Sequence, residues 1–246
     1  MLGASGRSGR TGLTAGSKAK NMRFAGSVIK TKAAVVGRRG VASRIGVLVC
    51  ALGLGIGTAP AYATSTQPAV AVVAHFQQTL ITVMKKAPEL GFKGRYRVLS
   101  PAVLASHNLK FIAQITMGPY WQHLSAASKA AFVAVFTQLT VATYATQFDG
   151  YSGEVFKETG AHVLAQGDVL VETTLSADGQ TKAVLDYLLA PSGSQWKIIN
   201  IVANGVSDLA LKRAQYTEVI RNKGFPALLA TLKKKVAQLS RPSKAS

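Results

Sequence analysis

The chain carries a single cysteine, Cys50, in 246 residues. One cysteine cannot form an intrachain disulfide, and cleavage of the N-terminal segment that holds it would leave a mature chain with no thiolate chemistry. Acidic residues are also scarce, ten against 29 Lys and Arg, and the first of them is Glu89. They are mostly isolated, which leaves no paired-carboxylate acid/base site. The four histidines, His75, His107, His123 and His162, share neither helical nor strand spacing, so no metal-ligand pattern is present. No glycine-rich loop has the Rossmann or P-loop spacing. The string Gly150-Tyr151-Ser152-Gly153 lacks the spacing of a nucleophile elbow and lies between a helix and a strand in that order. Gly205-Val206-Ser207 fails in the same way, and Ser207 suits a helix N-cap. The expectation is a protein without catalytic residues, cofactor or metal, whose function rests on binding.

The N-terminal third reads as a leader. Residues 1–44 are rich in Gly, Ser, Lys and Arg; Arg38, Arg39 and Arg44 precede the apolar run Ile45–Ile56; Ala61-Tyr62-Ala63 follows. A basic segment, a short apolar core and an Ala-x-Ala site are the parts of a secretory signal peptide. The run is too short to cross a bilayer core, which takes ~20 apolar residues. Val49 before Cys50 is too large for a lipoprotein signal. Residues 1–63 are therefore expected to be a cleaved signal with a long basic n-region, and 64–246 a single exported domain. Of the 29 basic residues ten lie in 1–63, so nineteen basic and ten acidic residues follow, a net +9. That excess suits anionic lipid surfaces or acidic partners. The tight cluster Lys233-Lys234-Lys235 has no aromatic beside it, which is not a nucleic-acid pattern.

Behind the leader the hydrophobic period is first helical. Val72, Phe76, Leu80 and Val83 mark a helix over 68–87, followed by a basic connector at 92–100 and a second helix over 101–114. Gly118-Pro119 breaks the pattern, and Ser125 caps a third helix over 126–147 with the stripe Phe132, Phe136, Leu139 and Thr143. The period then drops to two. Strands are predicted at 154–158, 162–166, 169–175, 182–190 and 196–203, with Asp178-Gly179 and Ser192-Gly193 as turns. Short turns make this an antiparallel meander. Ser207 and Asp208 open a fourth helix to Lys223, and Gly224 and Pro226 separate it from a fifth, to about Leu239. The segregation of helices, sheet, helices is α+β.

The last strands are apolar on both faces: Val184, Leu185, Leu188 and Leu189 on one, Ile198, Ile199, Ile201 and Val202 on the next. Both faces then want cover, either helices on both sides or an apolar cavity on one. Close packing favours the first by pattern alone.

One ordered set of strings resembles a known family. Pro119-Tyr120-Trp121, the helix with Phe132, Phe136 and Tyr144, Asp186-Tyr187, Trp196-Lys197-Ile198, Gly205-Val206-Ser207, Arg213, Tyr216, Gly224 and Leu228 occur in the order of the MlaC/Ttg2D family of periplasmic phospholipid-binding proteins. The stretch from Phe148 to Glu154 is similar to its HpnM branch, associated with hopanoid biosynthesis. Asn200 departs from the family pattern, where an acidic residue is expected.

The resemblance implies a periplasmic carrier that moves a phospholipid or hopanoid between an inner-membrane ABC transporter complex and an outer-membrane complex, in transient membrane contact. The lipid is the only ligand, held between sheet and helices. Strand parity then predicts Val169, Val171, Leu185, Tyr187, Leu189, Ile199 and Ile201 on the cavity face, with Lys197 at the rim as the awkward member of that parity. Phe132, Phe136 and Tyr144 would close the cavity from the helix side. Arg95, Arg97 and Arg213 are the candidates for the lipid phosphate. The alternative is a non-catalytic envelope adaptor with no ligand, docking an acidic partner through Lys233 to Lys235. A filled core would favour the adaptor and an apolar void the carrier.

Overall fold

The structure, a computed structural model, describes residues 65–241. The expected signal peptide, Cys50 and the Ala63 cleavage site lie outside the described residues. Helix α1, Gln67–Lys85, has Pro68 in its first turn and turns Ala69, Val73, Phe76, Leu80 and Val83 inward. Helix α2, Ala87–Ser106, replaces the expected connector at 92–100. Its charged residues mislead: Gly94, Leu99 and Val103 form a buried helical stripe, and Arg95 is buried beside them. Gly91, at φ +54°, is the bend near its start, a conformation open to glycine. Pro101 points to solvent and the helix continues past it to Ser106.

The helix expected at 101–114 is cut in two at His107, which is extended. The cause is tertiary. The Asn108 amide donates to the Ile198 carbonyl at 2.9 Å, so this junction caps a sheet edge. Asn108 also caps α3, Leu109–Met117, by accepting from the Phe111 amide at 3.1 Å. A 3-10 turn, Gly118–His123, leads to α4, Ala126–Gln147, with the Ser128 amide bonded to the Ser125 hydroxyl at 3.1 Å. Helix α4 is apolar on most of its circumference, the mark of a central helix, and it packs against α2, α3 and α5.

Five strands follow: β1 Val155–Val163, β2 Val169–Ala177, β3 Gln180–Ser192, β4 Gln195–Ala203 and β5 Val206–Ser207. They form one antiparallel sheet in sequence order. The two strands expected within 154–166 are one strand with a bulge between Glu158 and Gly160, and 164–167 is a turn closed by the Leu164 amide on the Asp168 carbonyl at 2.8 Å. A bulge keeps the pairing while shifting the side-chain parity, so the pattern looked like a break. Helix α5, Asp208–Leu239, starts at the Ser207 cap and divides at Gly224, φ +78° and ψ 168°, into the two arms the sequence suggests.

The helices cover one face of the sheet. Along β2, Val169, Val171, Thr173, Leu175 and Ala177 are buried while their alternates are half-buried. On β3, Ala183, Leu185, Tyr187 and Leu189 are buried, while Val184 on the other face is 44% exposed. The fold is α+β, with helices on the inner face of an open sheet.

Candidate functional site: an apolar cavity

Where β3 and β4 pass under α3, α4 and α5 the interior does not close. A cavity of about 670 Å³ remains, within the range of small-molecule sites, ~300–1,000 Å³. The sheet contributes Leu185, Tyr187, Ile198, Ile199 and Ile201; α4 contributes Phe136, Leu139 and Tyr144; α3 contributes Leu109 and Ile112; α5 contributes Leu209, Tyr216, Val219, Leu228 and Leu232.

Strand β4 gives three isoleucines to this wall because it is bulged. Leu188 pairs with Asn200 but Leu189 pairs with Ile198, so Ile199 is an extra residue. Ile198, opposite Leu189, and Ile201, opposite Tyr187, therefore share the inner face despite their odd spacing. The awkward parity of Lys197 disappears: its ammonium donates to the Ala105 carbonyl.

Two buried hydrogen-bond chains end at this wall, and proton counting orients both. Ser106 Oγ donates to the Ala102 carbonyl at 2.6 Å. Its oxygen must then accept from His107 Nδ1–H at 2.8 Å, so His107 Nε2 is the acceptor for the Tyr144 hydroxyl at 3.2 Å. Burial, reinforced by the Lys197 charge, pushes the His107 pKa down to about 3, so the ring is neutral. In the second chain Thr173 Oγ1 donates to the Leu185 carbonyl at 3.3 Å and so accepts from Gln77 Nε2 at 3.0 Å. That fixes the amide, whose nitrogen also donates to the Tyr187 hydroxyl at 3.3 Å. Burial raises the Tyr187 pKa to about 12 and lifts that of Tyr144 as well. Both phenols are neutral and hydrogen-bonded. Neither is a nucleophile or a base at neutral pH.

Of the residues expected from sequence, Phe136, Tyr144, Leu185, Tyr187, Ile199 and Ile201 come together on the cavity wall. Phe132 lies behind it, its ring 6.0 Å from Phe136 and Tyr216 and 6.3 Å from Phe225. Val169 and Leu189 are buried in filled core. Val171 borders a second, more polar depression between α1 and the β1–β2 edge, with Gln77 and Glu158. The arginines do not line the cavity. Arg95 is a strut: its Nε donates to the Ala145 carbonyl at 2.8 Å and Nη1 to the Ala87 carbonyl at 3.1 Å. Burial lowers its pKa, partly offset by Asp149. Arg97 and Arg213 are exposed, the latter with its guanidinium against Gly118.

Among the described residues, the charged ones at the cavity are instead Asp208, Lys212, Lys234 and Lys235, all on α5. Lys212 is ion-paired with Asp208 one turn away. Sequence reasoning also passed over the α5 leucines and Ile112. Their helical spacing was legible, but only packing tells a core stripe from a cavity stripe. Among the described residues no group of three His, Cys, Asp or Glu side chains could hold a metal.

An open sheet roofed on one face by helices, with an apolar cavity between, defines an α+β ligand-binding protein. The family model described as "MlaC protein" matches residues 74–234, and the chain belongs to the MlaC family. Among solved structures it is similar to a phospholipid-binding protein from Ralstonia solanacearum in complex with a phospholipid, at a TM-score of 0.63 and 22% identity over 70% of this chain and 98% of that one. At that identity the likeness is one of fold.

Proposed function

We propose that this chain is a periplasmic lipid carrier that holds a phospholipid or a hopanoid and passes it between inner and outer membranes without covalent chemistry. The observation that carries the reading is the 670 Å³ cavity walled by aliphatic and aromatic side chains. A filled core would have suited an adaptor. Each acyl methylene buried there contributes about 0.8 kcal/mol, so a lipid binds tightly with no reactive group. Family membership and the phospholipid-bound relative of the same fold support it. By the same resemblance, an inner-membrane transporter complex and an outer-membrane complex are its partners; the basic segment, apolar run and Ala61-Tyr62-Ala63 support removal of a leader on export.

The test is native mass spectrometry of the protein purified gently from the cell envelope. A lipid adduct is expected, and its mass separates two flexible tails from a polycyclic body. Only the unliganded mass would sink the proposal. An Ile201→Glu variant should keep its circular dichroism spectrum and lose the adduct. N-terminal sequencing of the envelope fraction checks export: a start at residue 64 is expected, and an intact leader on cytosolic protein overturns that part.

A further inference from the structure

The second arm of α5 presents the stripe Leu228, Thr231, Leu232, Lys235, Gln238 and Leu239 to the cavity, at spacings of three and four. Lys235 thus sits where the period calls for an apolar residue, and Lys234 lines the same cavity. Lys234 is exposed and Lys235 half-buried, on the solvent side of the wall. Neither lies in the last turn of the helix, so the helix dipole does not account for them. Among the described residues neither has an ion-pair partner. Asp208, the acidic residue of the cavity wall, is already held by Lys212. The apolar chamber is therefore edged by two solvent-facing cations that, among the described residues, have no anion of their own. Lys233 borders no part of the chamber.

We infer that Lys234 and Lys235 receive the phosphodiester of an anionic lipid whose apolar part fills the cavity, and that they bias the carrier toward head groups with no cation of their own. The inference rests on the lipid-carrier reading. A lipid inserted tail-first leaves its phosphate at the mouth, where ammonium groups donate charge-assisted hydrogen bonds. A zwitterionic head group brings its own cation and gains less from the same two lysines.

The test uses delipidated protein mixed with vesicles of equimolar phosphatidylglycerol and phosphatidylcholine with identical acyl chains. Both lipids then share one membrane surface, and native mass spectrometry reads the ratio of the two adducts. Wild type should favour phosphatidylglycerol by on the order of tenfold, the scale of one charged hydrogen bond. The double variant Lys234→Gln/Lys235→Gln should still bind lipid, with a ratio near one, and Lys233→Gln should keep the wild-type ratio. An even ratio in wild type, or an unchanged ratio in the double variant, overturns the inference while leaving the carrier reading intact. No adduct with either lipid in wild type overturns both. An excess of inorganic phosphate should not alter the ratio; if it erases the preference, the lysines form a free-anion site and the head-group assignment fails.

Discussion

Two regions of one sheet face meet different fates. Toward β2, the inner residues Val169 and Leu175, with Leu189 beside them on β3, are packed to near-zero exposure. Under α4 and α5, Leu185, Tyr187 and the isoleucines of β4 are just as apolar, yet they border empty volume. Side-chain chemistry does not separate the two regions; helix placement does. Helix α1 packs against β2 and β4 and lends Leu80 to the cavity wall. The two arms of α5 diverge at Gly224 instead. Apolar surface left uncovered inside a fold is costly unless a ligand covers it.

The comparison can be broken by substitutions on the two sides. In the filled region, Leu189→Ala should cost about 2–5 kcal/mol, because the hole is sealed by packed neighbours. Urea denaturation measures it; a cost below that range would mean the region is already loose. Next in size, Tyr144→Phe should cost about 1–3 kcal/mol by leaving His107 Nε2 without a donor in a buried position. A neutral result in the same denaturation series would show that water in the cavity replaces the phenol.

Acid offers a third test. The His107 pKa is about 3 in the fold against 6.5 unfolded. Between these values the unfolded chain takes a proton that the native ring refuses. Its contribution is therefore full above pH 6.5 and is lost as pH falls toward 3, with a slope of at most about 1.4 kcal/mol per pH unit. A His107→Gln variant should lose that part of the slope in denaturation curves across the window. The smallest effect is expected at the cavity: Ile201→Ala should cost roughly 1 kcal/mol or less in lipid-free protein, since its side chain already borders open space. A cost equal to that of Leu189→Ala would erase the distinction between the two regions.

Much of the fold was legible because its signals are local. The bounds of α4, the Ser125 and Ser207 caps, the Asp178-Gly179 turn and the Gly224 break all follow from a few neighbouring residues. The misreadings have non-local causes. Helix α2 was hidden by charged residues whose inward member, Arg95, is satisfied by carbonyls from α4 and its own helix start. The cut at His107 exists because the edge of β4 takes up the Asn108 amide. On β1 and β4 the bulges shift parity, and a period-two reading cannot see an inserted residue until the partner strand is known.

By itself the sequence determined that this is an α+β chain with a helical start, an antiparallel meander and a divided C-terminal helix, since propensity, turn chemistry and hydrophobic period act over a few residues; it split β1 in two and missed the two-residue β5. Its apolar residues on both faces of β3 and β4 called for cover that the outer face, with Val184 44% exposed, does not have. Tertiary structure alone decided which apolar residues became core and which became cavity wall, and that Lys234 and Lys235, not Arg95, border the cavity. The reason is geometric: a side chain's partner across a cavity lies on another element, and the distance between those elements is a property of the packed whole.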